Sequence, residues 1–477
     1  MQTEFSIDSL LISTHRLKRR WVELCTDLLP VENKDTIWRY SRLPSEADPA
    51  QGWKIHVSST VLTAWEILSA IGPYLRSQGI LFKAPTSLDV LARLNSGIFY
   101  GYTQIGKFIT IYPESERQFK SLVPALRQLT ANWHSGPTVP FDIRFQKSCI
   151  YYRYGAFKTR MTVTLEGHSV TSIVKPDGSE IEDSRHISSE HLGWVKDPIS
   201  KGSKVSSKLH DGLFNDRYLV FRALAQRGKG GVYEGLDLKT DPPRLCILKE
   251  GRSNGETSWD RRDGTWRIMN ETTVLNLLGD AEARVPSVYE SFCLDKNEYL
   301  VMEKIDGIDL RTLIIEGLSR FSIRERIQIG LQMCSILTSI HNVGWVWRDC
   351  KPSNFLIDRE GVVWAVDFEG ACPIASSDRL QWSTPQYSPP EALVQKSTAG
   401  QMVSFTHDLY SLGVCLEQLF EVEQTGSKRN SRETGRTNPY LRPEILNPVS
   451  RLLDHDPSKR PDADYISGIL KKALSFN

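Results

Sequence analysis

The 477-residue chain lacks several features that would place it quickly. No stretch approaches the roughly 18 consecutive apolar residues that a bilayer span requires, so no membrane partner is expected. The first twenty residues, MQTEFSIDSLLISTHRLKRR, have no basic start, no long apolar run and no small-residue cleavage site, and do not read as a secretory signal. Net charge is nearly absent: 59 basic side chains stand against 57 acidic ones, which gives no electrostatic case for nucleic acid. The eight cysteines (25, 149, 246, 293, 334, 350, 372 and 415) form no CxxC pair and no Cys-His cluster. That scatter fits reduced, buried thiols in a cytosol, and neither a disulfide framework nor a zinc site is expected.

What is present divides by texture. The length implies more than one core, and the reading is α+β: an N-terminal domain over 1–200 with a linker at its end, then a second domain over 216–477. Apolar residues at helical spacing mark a helix within 60–77, closed by Gly79, and another within 114–131. Strand-like runs lie at WKIHVS (53–58), KFITIY (107–112) and CIYYRYGAF (149–157). Residues 166–215 are polar, with a turn at KPDGSE (175–180) and a flexible linker at KGSKVSSK (201–208). The basic stretch QTGSKRNSRETGRT (424–437) reads as a solvated loop.

From residue 216 strands come first and helices later. Phosphoryl transfer is mostly positioning and charge neutralisation, and its parts occur in order. RGKGGVYEG (227–235) is a glycine-rich turn in which Gly228, Gly230 and Gly231 would let backbone amides approach phosphate oxygens. CILK (246–249) ends in Lys249, and Glu271 opens the amphipathic run ETTVLNLL. YLVMEKIDGIDL (299–310), WRDCKPSNFLI (347–357), VDFEG (366–370), SPPE (388–391), HDLYSLG (407–413) and LLDHDPSKRP (452–461) follow.

This series resembles a bilobal protein kinase. The resemblance implies that Lys249 binds nucleotide and pairs with Glu271, and that Met302 lies beside the adenine pocket. It makes Asp349 the acceptor of the substrate proton and Lys351 the cation on the transferring phosphoryl group. Asn354 and Asp367 would hold Mg²⁺, with ATP, GTP or another nucleoside triphosphate as donor, and Glu391 and Arg460 would form a buried ion pair. Three motifs depart from the pattern. Ala225 and Arg227 stand where the first two glycines usually do, Trp347 precedes Arg348-Asp349 in place of histidine, and Glu369 replaces the glycine after Asp367-Phe368. The last change removes a flexible position and makes a flipped, inactive loop less accessible.

In the N-terminal half, Lys54 and His56 share one face of a strand while Trp53, Ile55 and Val57 take the other. Lys83, Lys107, Arg144 and Arg153 are likewise embedded among aromatic or β-branched neighbours. Cations held on hydrophobic strands suit an anion, phosphate above all. WKIHVSST, then FK, GKFITIYP, GP, FDIRF and YYRYG resemble the lyase domain of class III and class IV lanthipeptide synthetases, itself similar to phosphothreonine lyase effectors. In that family a kinase with DFE in place of DFG follows the lyase, as here. The resemblance implies that Lys83 is the general base and His56 the general acid, with Lys54, Lys107, Arg144 and Arg153 binding phosphate. It implies a precursor peptide with a leader as substrate.

No metal set of a cyclase follows the kinase-like segment, so a two-domain dehydratase served by a separate cyclase and a truncated chain both stay open. Two other readings remain at this stage: a Ser/Thr kinase whose N-terminal half only binds peptide, and a pseudokinase scaffold that binds a leader.

Overall fold

The computed structural model describes residues 7–32, 36–133, 136–186, 192–199, 209–210, 212–374, 376, 382, 384–394, 403–421, 423–425, 435–437 and 441–475. The expected linker at 201–208 lies outside them. They pack as two compact units: residues 1–233 with 249–266 and 293–299, and residues 234–248 with 267–292 and 300–477.

The first unit opens with helix α1 (Ile7–Leu28), which the sequence reading did not single out. Its elements continue as β1 (Val31–Glu32), β2 (Trp38–Tyr40), β3 (Gln51–Val57), α2 (Ala64–Ser77), β4 (Leu81–Pro85), α3 (Leu88–Ser96), β5 (Ile109–Tyr112), α4 (Glu116–Leu129), β6 (Ile143–Arg144) and β7 (Ile150–Ala156). The expected helices and strands are all here, each within a few residues of its reading. The strands form one sheet in the order β1-β2-β4-β5-β3-β7-β6. Ser87 and Ser115 cap α3 and α4 by accepting from the amides of Val90 and Gln118, which satisfies donors that a helix start leaves open. On one face of the sheet, Trp53, Ile55, Val57, Phe82 and Ile111 pack with α2 and α4 residues such as Ile67, Leu68 and Phe119. Trp53 stacks on Phe119 at 5.6 Å between ring centroids. That dry face leaves the alternate residues of the same strands to line the other one.

The polar stretch after residue 160 is more ordered than its composition implied. It forms the three-stranded sheet of β8 (Met161–Val163), β9 (Ser169–Val174) and β10 (Glu180–Glu182), with the expected turn between β9 and β10.

A second seven-stranded sheet, in the order β11-β12-β13-β14-β15-β17-β16, comprises β11 (Leu209–His210), β12 (Leu213–Phe214), β13 (Tyr218–Gln226), β14 (Gly230–Asp237), β15 (Arg244–Gly251), β16 (Val288–Leu294) and β17 (Asn297–Glu303). Helix α5 (Gly264–Asp280) precedes β16. Glu271 therefore sits in mid-helix rather than opening one, because the less amphipathic turns before it are also helical. The second unit includes β18 (Gly307–Asp309), α6 (Leu310–Glu316), α7 (Ile323–Asn342), β19 (Trp345–Val346), β20 (Phe355–Asp358), β21 (Val363–Ala365), β22 (Cys372–Pro373), α8 (Pro390–Val394) and α9 (Phe405–Leu419). Strands β23 (Glu423–Thr425) and β24 (Gly435–Thr437) pair antiparallel, so the expected loop at 424–437 begins and ends in a short ladder. Helices α10 (Pro443–Arg451) and α11 (Ala463–Ser475) close the unit. The buried core of this unit gathers Leu337, Ile340, Trp347, Phe355, Phe368, Leu412 and Leu416.

All eight cysteines are free, and seven are buried, with Cys293 exposed. No helix of the described residues is long and apolar enough to cross a membrane.

Candidate functional site

Strand register assembles the N-terminal site. Tyr40 pairs with Lys83, Lys83 with Thr110, Thr110 with His56, and Lys54 with Arg153. Directly opposed residues in an antiparallel pair share a face, so these side chains rise together from the face opposite the core. They line a cavity of about 300 Å³ with Trp38, Lys107, Tyr112, Asp183 and Arg185. Lys54, His56, Lys107 and Arg153 are all buried. Five of the six residues assigned from the sequence thus meet in one pocket.

Arg144 is the exception. It does not line the pocket; its Nε donates to the Ser148 carbonyl and its guanidinium lies 5.6 Å from the Tyr151 ring centroid. It sits on the two-residue edge strand β6, so its side chain is engaged locally rather than over the central strands.

The surroundings tune each group. Burial pushes the Lys83 ammonium down from 10.5 to about 8, helped by the charges of Arg185 and Lys107; its Nζ lies 4.4 Å from the Trp38 ring centroid. Burial also takes Lys54 down to about 7, against the opposing pull of Asp183. Burial lowers His56 to about 4 even though Asp142 favours its charged form. Asp142 was not singled out in the sequence. Its side chain is buried, its Oδ2 lies 2.5 Å from His56 Nδ1, and its Oδ1 lies 3.7 Å from Lys107 Nζ. Burial alone would raise that carboxyl, but Lys107 and His56 outweigh it and hold it at about 2.

The glycine turn also belongs to the first unit. Its glycines answer to packing. The Gly228 amide donates to the Ser96 carbonyl at 2.9 Å, and a Cβ at Gly228 would overlap the Asn95 carbonyl. A Cβ at Gly230 would meet the Glu250 carbonyl, and one at Gly231 the Tyr233 ring. The Gly228 N–H is therefore already engaged, contrary to the expectation that it serves phosphate. Lys249 lies near the end of β15, beside Glu250, which accepts hydrogen bonds from Tyr233 and Tyr299.

In the second unit, Lys351 Nζ lies 2.7 Å from Asp349 Oδ2, and Asn354 Nδ2 donates to the same carboxylate and to the Asp349 carbonyl. Thr384 was not foreseen; its hydroxyl lies 3.1 Å from Asp349 Oδ1 and 3.2 Å from Lys351 Nζ. Burial raises the Asp349 carboxyl, partly offset by Lys351. Asp367 has φ 69°, a left-handed conformation that costs a non-glycine residue energy and marks a constrained position. Glu271 accepts the Phe368 amide at 3.1 Å, and Asn270 donates to the carbonyls of Glu369 and Ala371. Trp347 stacks on Phe368 at 5.1 Å, and its indole N–H donates to the Asp367 carbonyl. The tryptophan therefore secures the loop that carries Asp367. Asp408 receives the amides of Trp347 and Arg348, and Arg460 makes a bidentate pair with Glu391. Met302 is buried on β17.

Asn354 and Asp367 present hard oxygen donors, the ligand type that Mg²⁺ takes. Because Asn354 spends its amide nitrogen on Asp349, its Oδ1 can serve a cation. Among the described residues no group of three or more His, Cys, Asp or Glu could hold a metal.

The chain is similar to known families over the regions that carry these two sites. The RamC N-terminal domain family matches residues 30–209, and the protein kinase domain family matches residues 228–469. The probable SapB synthase of Streptomyces coelicolor is 28% identical over 361 residues, covering 73% of this chain and 38% of that protein. Serine/threonine-protein kinase F of Synechocystis is 32% identical over 220 residues, 42% of this chain and 43% of the kinase. The probable serine/threonine-protein kinase PknB of Lactococcus lactis is 27% identical over 210 residues, 43% of this chain and 32% of the kinase. The chain thus spans less than half the length of each of these relatives. With the kinase match covering just over half of its residues, the chain belongs to the protein kinase family and carries a RamC-type N-terminal domain ahead of its kinase domain.

Proposed function

We propose that the chain is a two-step peptide dehydratase of lanthipeptide biosynthesis. Its kinase domain phosphorylates Ser and Thr hydroxyls of a ribosomal precursor peptide bearing a leader, and its N-terminal domain eliminates the phosphate to leave dehydroalanine or dehydrobutyrine. One observation carries the reading: a lysine with a lowered pKa, a carboxylate-held histidine and several further cations line a single pocket. Similarity to the probable SapB synthase across both domains supports it.

In the first step Asp349 takes the proton of the substrate hydroxyl as its oxygen attacks the γ-phosphorus of ATP, and ADP leaves. Lys351, now held on Asp349, turns to the transferring phosphoryl oxygens. Mg²⁺, when held by Asn354 and Asp367, would neutralise charge on the phosphates. Phosphorylation replaces hydroxide, a poor leaving group, by phosphate.

In the second step Lys83 removes the Cα proton, the Cα–H pair becomes the Cα=Cβ bond, and the Cβ–O bond breaks. His56 gives its proton to the departing phosphate oxygen. An arriving phosphate dianion favours the imidazolium and raises the His56 pKa, while Asp142 occupies Nδ1 and leaves Nε2 for the leaving group. The sum is Ser or Thr plus ATP to the dehydro residue, ADP and phosphate. Ring closure by cysteine thiols is assigned to a cyclase outside these residues.

A second reading, favoured by the match to Synechocystis kinase F, is a Ser/Thr kinase whose N-terminal pocket only holds the phosphopeptide. Mass spectrometry of a Ser-containing precursor with the protein, Mg²⁺ and nucleoside triphosphates separates the two. Dehydration predicts a loss of about 18 Da per site, and Lys83→Ala a gain of about 80 Da instead, because the phosphoryl group then stays on the peptide. A gain of phosphate without loss in the unaltered protein would establish the second reading.

A further inference from the structure

Just after β10 the chain is drawn into the pocket floor by a buried carboxylate. Asp183 Oδ1 lies 2.8 Å from an Arg153 guanidinium nitrogen, Oδ2 accepts the Ala156 amide at 3.1 Å, and Lys54 Nζ stands 4.0 Å away. The same Arg153 nitrogen donates to the Ser184 carbonyl at 2.9 Å. Gly155 makes this docking possible, since a Cβ there would come within 2.8 Å of Asp183 and 3.1 Å of the Lys54 side chain. Residues 183 and 184 are thereby held in place, and Arg185, the next residue, lines the cavity while remaining exposed.

The charge inventory singles Arg185 out. Asp183 occupies part of Arg153, and Asp142 stands against Lys107 and His56. Among the described residues no carboxylate pairs with Arg185. Lysines in the pocket can lose their protons, whereas a guanidinium keeps its charge and offers a fork that fits phosphate oxygens in pairs. Its field already reaches the pocket floor, where it helps to depress Lys54, Lys83 and Lys107.

We propose that Arg185 is the residue by which the pocket tells a phosphorylated from an unphosphorylated side chain, with Asp183 positioning the segment that presents it. The inference deepens the elimination reading and rests on it. Arg185 sits at the accessible side and meets the phosphate first; Arg153 and Lys54 lie deeper, already tied to Asp183. Phosphate arriving at Arg185 also satisfies the charge that depresses Lys83, so recognition and base strength are linked.

The test is calorimetric binding of a short phosphoserine peptide and its unphosphorylated counterpart to the full chain, beside elimination kinetics on the same phosphopeptide. The unaltered protein should prefer the phosphopeptide, and Arg185→Ala should reduce that preference by about tenfold or more, as loss of a charge-assisted bidentate pair implies. Arg185→Lys should restore part of it, and in kinetics the alanine change should raise KM more than it lowers kcat. Because Arg185 is exposed and its carbonyl and amide are untouched, both variants should melt like the parent. Equal phosphopeptide binding by Arg185→Ala and the parent overturns the proposal, as does a parent that shows no preference. A parent that prefers phosphopeptide through Arg185 but never eliminates phosphate would leave this recognition standing and refute the dehydratase reading instead.

Discussion

His56 and Asp142 meet at 2.5 Å between Nδ1 and Oδ2, both under the surface, with Lys107 on the far oxygen of the carboxylate. A buried carboxylate that fixes one imidazole nitrogen sets which nitrogen faces the substrate and stabilises the charged ring. Asp142→Asn keeps the shape and removes the charge. We expect elimination to slow by about a hundredfold, the scale of a positioned acid's contribution, while phosphorylation of the same peptide is unchanged. Accumulation of phosphopeptide, followed by mass spectrometry, checks this; undiminished dehydration would refute it.

The pH dependence of elimination carries a specific signature. At about 8 for Lys83 and about 4 for His56, the free pocket holds its base and acid in reverse order: the neutral lysine grows with pH just as the imidazolium declines. With both required, kcat/KM on a phosphopeptide dianion should be flat from about pH 6.5 to 8 and fall above it. In His56→Asn the base titrates without its acid partner, so the residual rate should climb about tenfold per pH unit up to about 7, where Lys54 also begins to lose its charge. A wild-type profile that climbs like the variant's would show that His56 is not the acid.

Trp347 predicts a loss of a different kind. Its ring is fully buried, stacked on Phe368 and bonded to the Asp367 carbonyl. Trp347→Ala should destabilise the kinase unit by about 3–5 kcal/mol, as aromatic truncations in cores do, and should lower phosphorylation in the fraction that stays folded. Trp347→Phe keeps the stack without the indole N–H and should retain most of the stability but lose phosphorylation rate. Denaturant midpoints and phosphate incorporation measure the two effects separately.

The pair of Glu391 and Arg460 is bidentate, with the arginine side chain fully buried. Removing one partner leaves the other charge buried, so Glu391→Gln or Arg460→Met alone should cost about 3–5 kcal/mol. The double change should recover part of that loss in a denaturation cycle. Additive losses would mean that the two residues act independently.

Much of both sites was legible because strands and motifs write themselves in short range. Lys54 and His56 alternate with Trp53, Ile55 and Val57, and a period of two decides which face each takes. The kinase segments carry their residues at fixed local spacing. Arg144 met the same criterion but does not line the pocket, since a cation among apolar neighbours on an edge strand looks in sequence like one on a central strand. Asp142, Asp183, Arg185 and Thr384 lie outside strands and helices, where no period marks them; only after folding do they close on His56, Arg153, the cation-lined pocket and Asp349.

From sequence alone came the α+β class, the order of a cation-bearing domain before a kinase, the face that Lys54 and His56 share, and the residues of the Asp349–Asn354 loop. Tertiary structure decided which cations converge, that Gly228 is spent on the Ser96 carbonyl, that Trp347 holds the Asp367 loop, and how far Lys83 is depressed. The physical reason is range. Periodicity and motif spacing act within a few residues, whereas strand register, burial and the fields of distant charges depend on partners that the chain brings together only when it folds.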